Sequence, residues 1–165
     1  MNIQTIALAA ALAMLATPAA FAHSDAHHAA TMHGQARAEA ADTPFGRQGD
    51  PAKVDLTLTV DMSDNMRFTP DVLTVRRGET VRLRVANKGE LLHELVLGTS
   101  EALEAHAAMM RKSPGMAHDE PQMVHVQPGR TGDVVWQFTQ AGEFRFACLL
   151  PGHFEAGMVG KVVVR

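Results

Sequence analysis

Cysteine is almost missing from this chain: one thiol, Cys148, stands in 165 residues. No disulfide can form within the chain, so any thiol chemistry belongs to that single side chain. Positive charge is not in excess either. Lys and Arg number 15 against 18 Asp and Glu, a formal net charge of -3, and the sequence pI is near 6.3. That balance argues against a nucleic-acid partner, which calls for a strongly basic face. Beyond the first 22 residues no apolar run is long enough to span a bilayer. No internal repeat occurs. Hydrophobic residues make up 46% and charged residues 20%, so the chain can bury a packed core. Its length suits one domain with extra segments.

The chain opens with what reads as a secretory signal peptide, residues 1–22. Ile6 to Ala16 is apolar, Pro18 breaks the run, and Ala20-Phe21-Ala22 fits a small-residue cleavage site. The first residues carry no Lys or Arg, a departure from the usual pattern. A membrane anchor is the competing reading, and the run is short for one. An exported thiol meets an oxidising compartment. Metal ligation or simple burial would each explain its survival there. Residues 23–51 carry His23, His27, His28 and His33 among Ala and polar residues, with no sustained apolar period. They read as a disordered tail, serving as a solvated linker or as a weak, adaptable metal tract.

From residue 52 the pattern turns to strands. Val54, Leu56, Leu58 and Val60 alternate with polar residues, and a turn-like stretch, Asp61 to Asn65, follows. Phe68, Val72, Leu73 and Val75 continue the β pattern. Val81, Leu83 and Val85 alternate with Arg82 and Arg84, and Asn87-Lys88-Gly89 makes a turn before a strand at Leu91 to Leu97. Ser100 is placed to cap a helix over Glu101 to Lys112, with Leu103, Ala107 and Met110 on one face. Val124 and Val126, then Val134, Trp136 and Phe138, complete the alternation. About seven or eight short strands with regular turn signals predict an all-β, Greek-key β-sandwich with a short helical insertion.

The most distinctive stretch surrounds the lone cysteine: Cys148-Leu149-Leu150-Pro151-Gly152-His153-Phe154-Glu155-Ala156-Gly157-Met158. A thiolate, an imidazole and a thioether are the soft, mixed donors that copper selects. A Cys and a His at this spacing are also compatible with a nucleophile and its base, or with a buried thiol beside an unrelated His. Three features favour the metal. Cys148 ends a strand-like run from Glu143, Met158 opens another through Val164, and Pro151-Gly152 forces a turn between Cys148 and His153. Two strand ends joined by a tight loop can aim three donors at one point. A second imidazole must come from elsewhere, and His93 is the candidate.

This loop resembles that of the cupredoxins, the small blue-copper proteins, over residues 53–165. The resemblance implies one type 1 copper, with Cys148 as equatorial thiolate, His153 as equatorial imidazole and Met158 as axial thioether. The segment Asn87-Lys88-Gly89-Glu90-Leu91-Leu92-His93-Glu94 resembles the region of the first His ligand, which gives His93 its role. Glu94 replaces the small polar residue common at that place, and either pins the ligand loops or holds charge near the metal. Glu94 and the Met/His-containing insertion resemble bacterial periplasmic cupredoxins of copper resistance. That implies a periplasmic protein serving copper tolerance by binding copper and cycling it between Cu(I) and Cu(II). The alternative is a soluble one-electron carrier with a transient redox partner, docked on an apolar rim at Phe154 and Met158. Neither reading is enzymatic. Multicopper oxidases flank their Cys with His on both sides, whereas Cys148 stands between Ala147 and Leu149.

The insertion holds His106, Met109, Met110, Met116, His118, Met123 and His125. Met110 and Met123 are expected in the core, with the histidines solvated. Additional weak copper binding, centred on Met109, Met116 or His118, is the minor reading.

Overall fold

A computed structural model describes residues 42–113 and 119–165. The expected signal peptide, most of the expected tail, and Met116 and His118 lie outside the described residues. The strands are β1 (Arg47–Gln48), β2 (Leu56–Ser63), β3 (Arg67–Thr69), β4 (Val72–Val75), β5 (Thr80–Asn87), β6 (His93–Gly98), β7 (Met123–Val126), β8 (Thr131–Gln137), β9 (Gly142–Ala147) and β10 (Val159–Val164). One helix, α1 (Ser100–Lys112), lies between β6 and β7.

The strands form two five-stranded sheets, ordered β1-β8-β5-β2-β3 and β4-β10-β9-β6-β7. β2 runs parallel to β5 and β4 parallel to β10, while the other neighbours are antiparallel. Alternation drives the packing. Val60 and Met62 from β2, Val81, Leu83 and Val85 from β5, and Val134 and Trp136 from β8 are buried. They share one core with Leu73, Val75, Leu95, Phe146 and Val162 of the other sheet. Side chains of this size stabilise by about 1.5–3 kcal/mol each when fully buried. The result is a β-sandwich with its core between the sheets.

Two departures from the sequence reading raise the strand count among the described residues to ten. The β pattern from Phe68 to Val75 is split: β3 pairs with β2 in one sheet, and β4 pairs with β10 in the other. The sequence reads as one run because both pieces bury apolar residues into the same core. The second departure is in the expected tail, whose last residues join the sandwich. Phe45 is buried and stacks on Trp136 at 5.0 Å between ring centroids, and β1 pairs with β8.

The helix also begins slightly differently. Thr99, not Ser100, is the N-cap, and its Oγ1 accepts from the Ala102 amide at 3.2 Å. Arg111 and Lys112 sit in the last turn, where they complement the helix dipole. Leu103, Ala107 and Met110 are buried as expected. With Val96, Met123, Ala147 and Leu149, the first two form a second, smaller apolar cluster. This cover has a consequence for β6: all six of its residues are buried, with no alternation.

Candidate metal centre

Three short pieces of the second sheet converge. His93 opens β6, Cys148 directly follows β9, and Met158 directly precedes β10. β9 and β10 are antiparallel neighbours with Ala147 opposite Val159, so Cys148 and Met158 must lie side by side. The Cys148 amide donates to the Met158 carbonyl at 3.1 Å and closes the loop. Within the loop, the His153 amide donates to the Leu150 carbonyl at 3.0 Å and the Met158 amide to the His153 carbonyl at 3.1 Å. Gly152 (φ 89°) and Gly157 (φ 87°) supply the left-handed backbone that this tight winding requires. β6 pairs with β9 on the other side, which brings His93 to the same end.

One donor atom from each of His93, Cys148 and His153 lies within 4.8 Å of the others. His153 Nδ1 is 3.3 Å from Cys148 Sγ, and the two imidazole centroids are 4.9 Å apart. His93, Cys148 and Met158 are fully buried, whereas His153 is half-buried. His93 Nε2 lies 3.0 Å from Asp64 Oδ1. Its Nδ1 is buried and has no hydrogen-bond partner. A buried polar atom left unpaired costs about 1–3 kcal/mol. A metal ion among the three donors would take that lone pair.

The electrostatics suit the same reading. Burial, aided by the Glu94 charge and opposed by backbone hydrogen bonds, pushes the Cys148 thiol up to about 12. Without a cation, then, the site keeps a neutral thiol. Burial, then the neighbouring His93, pushes the His153 imidazole below its usual range. A metal ligand must be a free lone pair, so a neutral imidazole is ready to bind.

Glu94 is buried and pins the loop that follows Cys148. Its Oε1 accepts from the Leu149 amide at 2.7 Å, and its Oε2 lies 2.8 Å from His125 Nε2. His125 stands opposite Glu94 in the β6–β7 register, so it is tied to a buried carboxylate rather than simply solvated. A second tie joins the helix to the loop. Arg111 Nη1 donates to Glu155 Oε1 at 2.6 Å, and Glu155 Oε2 accepts from the Gly152 amide at 3.0 Å.

Some expectations change. The apolar rim of Phe154 and Met158 does not form, because Met158 is fully buried and half-buried Phe154 packs on the helix cluster. Met110 and Met123 are core residues, and Met109 is 43% exposed. Asp64 was missed. It belongs to a turn 29 residues before His93, and a turn aspartate has an ordinary explanation of its own. Its carboxyl is held below the usual range by the Glu90 amide first, then by His93.

The sequence profile described as "Copper binding proteins, plastocyanin/azurin family" matches residues 54–165. The chain belongs to this family. Among copper-binding proteins of the plastocyanin/azurin family, a relative from Rubrivivax gelatinosus, described as "Copper-resistant cuproprotein CopI", is 57% identical over 157 residues. The alignment covers 94% of this chain and 95% of that relative. A protein of the same description from Pseudomonas aeruginosa is 34% identical, with 83% and 87% covered. The fold is similar to that of auracyanin from Roseiflexus castenholzii, with a TM-score of 0.59 at 20% identity, covering 68% of this chain and 98% of that one. Auracyanin A from Chloroflexus aurantiacus, a blue copper protein, gives 0.56 at 26% identity, covering 66% and 98%. Copper is thus the cofactor of the family, and the thiol-imidazole donor set fits it. Among the described residues no helix is long and apolar enough to cross a membrane.

Proposed function

We propose that this copper-binding protein is a periplasmic type 1 copper protein that serves copper tolerance. The observation that carries the reading is the buried convergence of His93, Cys148 and His153, with His93 Nδ1 unpartnered. In this reading His93 Nδ1, Cys148 Sγ and His153 Nδ1 would hold the copper, with the Met158 thioether as a weaker fourth donor. Bound there, copper supplies a one-electron couple between Cu(I) and Cu(II). The chain's own part is positional. β6, β9 and β10 hold the donors from two sides, Glu94 fastens the Leu149 amide, and the apolar clusters exclude water. A pre-set donor frame lets the oxidation state change with little rearrangement. The relatives described as copper-resistant support tolerance as the use of this chemistry. No enzymatic step is assigned, since Cys148 has no flanking His.

The second reading, a soluble one-electron carrier, is favoured by one observation. His153 alone among the three clustered donors is half-buried, which gives electrons a short path to a transient redox partner. Copper titration of the exported chain tests the site, and copper sensitivity of cells separates the two readings. Intense thiolate-to-copper absorption with a type 1 EPR signal, both lost in Cys148→Ser, is the expected result. Copper sensitivity of cells carrying only Cys148→Ser, with wild-type growth restored by the native chain, supports tolerance. Absence of the absorption band under oxidising conditions overturns the ligand assignment. Fast electron exchange with a partner and no effect on copper sensitivity moves the function to carriage.

A further inference from the structure

The geometry points to Asp64 as a positioning residue for His93, one that fixes which ring nitrogen faces the metal and lowers the reduction potential of the site. This rests on the copper reading above. Asp64 sits in the turn between β2 and β3, on the sheet that supplies none of the clustered donors. Its carboxylate reaches across to the other sheet and receives three groups. Oδ2 accepts from the Glu90 amide at 2.7 Å, and Oδ1 accepts from the Leu91 amide at 3.3 Å and lies 3.0 Å from His93 Nε2. Ionised carboxylates only accept, so the contact requires the proton on Nε2. In the neutral imidazole the same proton placement leaves Nδ1 bare, and Nδ1 is the buried atom with no hydrogen-bond partner.

The chain is built to allow this approach. A Cβ at position 89 would lie 1.9 Å from Asp64 Oδ1, so only glycine fits beside the carboxylate. Asn87 holds the same loop from within, its Nδ2 donating to the Leu91 and Val126 carbonyls at 2.7 and 2.8 Å. The loop is therefore secured even without Asp64, and the distinctive contribution of Asp64 is its contact with the ring. A carboxylate on the far nitrogen of a ligating imidazole fixes the tautomer and raises ligand basicity. The added basicity and the negative charge both favour Cu(II) over Cu(I).

The test uses Asp64→Ala and Asp64→Asn in the full exported chain. Long-range nitrogen-proton NMR of the metal-free protein, at about pH 8 where free imidazole is neutral, reads the His93 tautomer without any copper. Wild type is expected to carry the proton on Nε2. Loss of a hydrogen bond to a charged group should shift the tautomer ratio of Asp64→Ala by about tenfold toward Nδ1–H. Asp64→Asn keeps an accepting oxygen and should keep the tautomer. With copper bound, both variants should show a higher reduction potential, and Asp64→Ala a weaker copper affinity. An unchanged tautomer and potential in Asp64→Ala, with only a lower Tm, would overturn the proposal and leave Asp64 as a loop fastener. If Asp64→Ala does not fold, an unchanged potential in Asp64→Asn overturns the charge effect, and a wild-type proton on Nδ1 overturns the positioning. Failure of the wild type to bind copper would instead sink the ligand assignment, and the NMR result would still decide the Asp64–His93 contact.

Discussion

The two sheets bury their residues by different rules. In the sheet β1-β8-β5-β2-β3, β2 and β8 alternate between core and solvent, and Arg82 and Arg84 of β5 face outward opposite Leu83. In the other sheet β6 is buried at every position, because the sandwich core covers one face and α1 with its cluster covers the other. All the donors brought together lie at the end of that doubly covered region. One sheet acts as a scaffold, and the other combines scaffold with a dry, pre-set site. Double cover keeps water from His93 and Cys148 and removes the slack that would let them drift. Preorganisation of this kind comes from a second layer of packing rather than from the donors themselves.

Truncating each layer tests this division. Leu83→Ala, in the scaffold core, should cost about 2–5 kcal/mol in urea denaturation and leave the copper absorption of the folded protein unchanged. Leu103→Ala, in the helix cover, should cost less, about 2 kcal/mol. It should nonetheless shift or broaden the absorption, because Leu149 and Phe154 rest on the same cluster. Equal spectral effects from both variants would break the comparison.

A smaller perturbation sharpens it. Glu94→Gln keeps an oxygen for the Leu149 amide but removes a buried negative charge beside the site. The reduction potential should rise by on the order of 60 mV, the equivalent of a tenfold change for a one-electron couple. Spectroelectrochemical titration reads it, and an unchanged potential would mean that the charge is compensated locally, with His125 the neighbour at hand. The smallest effect belongs to Arg111→Ala. The Arg111–Glu155 pair is about half exposed, and such pairs contribute less than about 1 kcal/mol. A larger loss in urea denaturation would show that the helix is held to the loop by this tie rather than by its apolar face.

The same contrast explains what the sequence could reveal. Alternation in β2, β5 and β8 is a local signal, and those strands are readable from their own residues. The loop from Cys148 to Met158 is readable because its chemistry and its turn signals lie within one short stretch. Contacts that link distant segments leave no such mark. Asp64 resembles any turn aspartate until the fold carries it to His93. His125 resembles a solvated histidine until the β6–β7 register sets it opposite Glu94. Phe45 lies in an Ala- and His-rich context, and its value appears only when Trp136 is found beneath it. The break between β3 and β4 was hidden because both pieces feed one core.

The close approach of Gly89 to Asp64 also bears on inheritance. A side chain at position 89 would occupy the place of the Asp64 carboxylate, so the two positions form one heritable unit. A descendant that acquires alanine at 89 keeps His93 but loses the anchor behind its ring. A descendant that first loses the carboxylate at 64 releases 89 to vary. Substitution at these two sites should therefore be ordered, with 64 changing before 89, although 25 positions separate them in the chain (89 − 64).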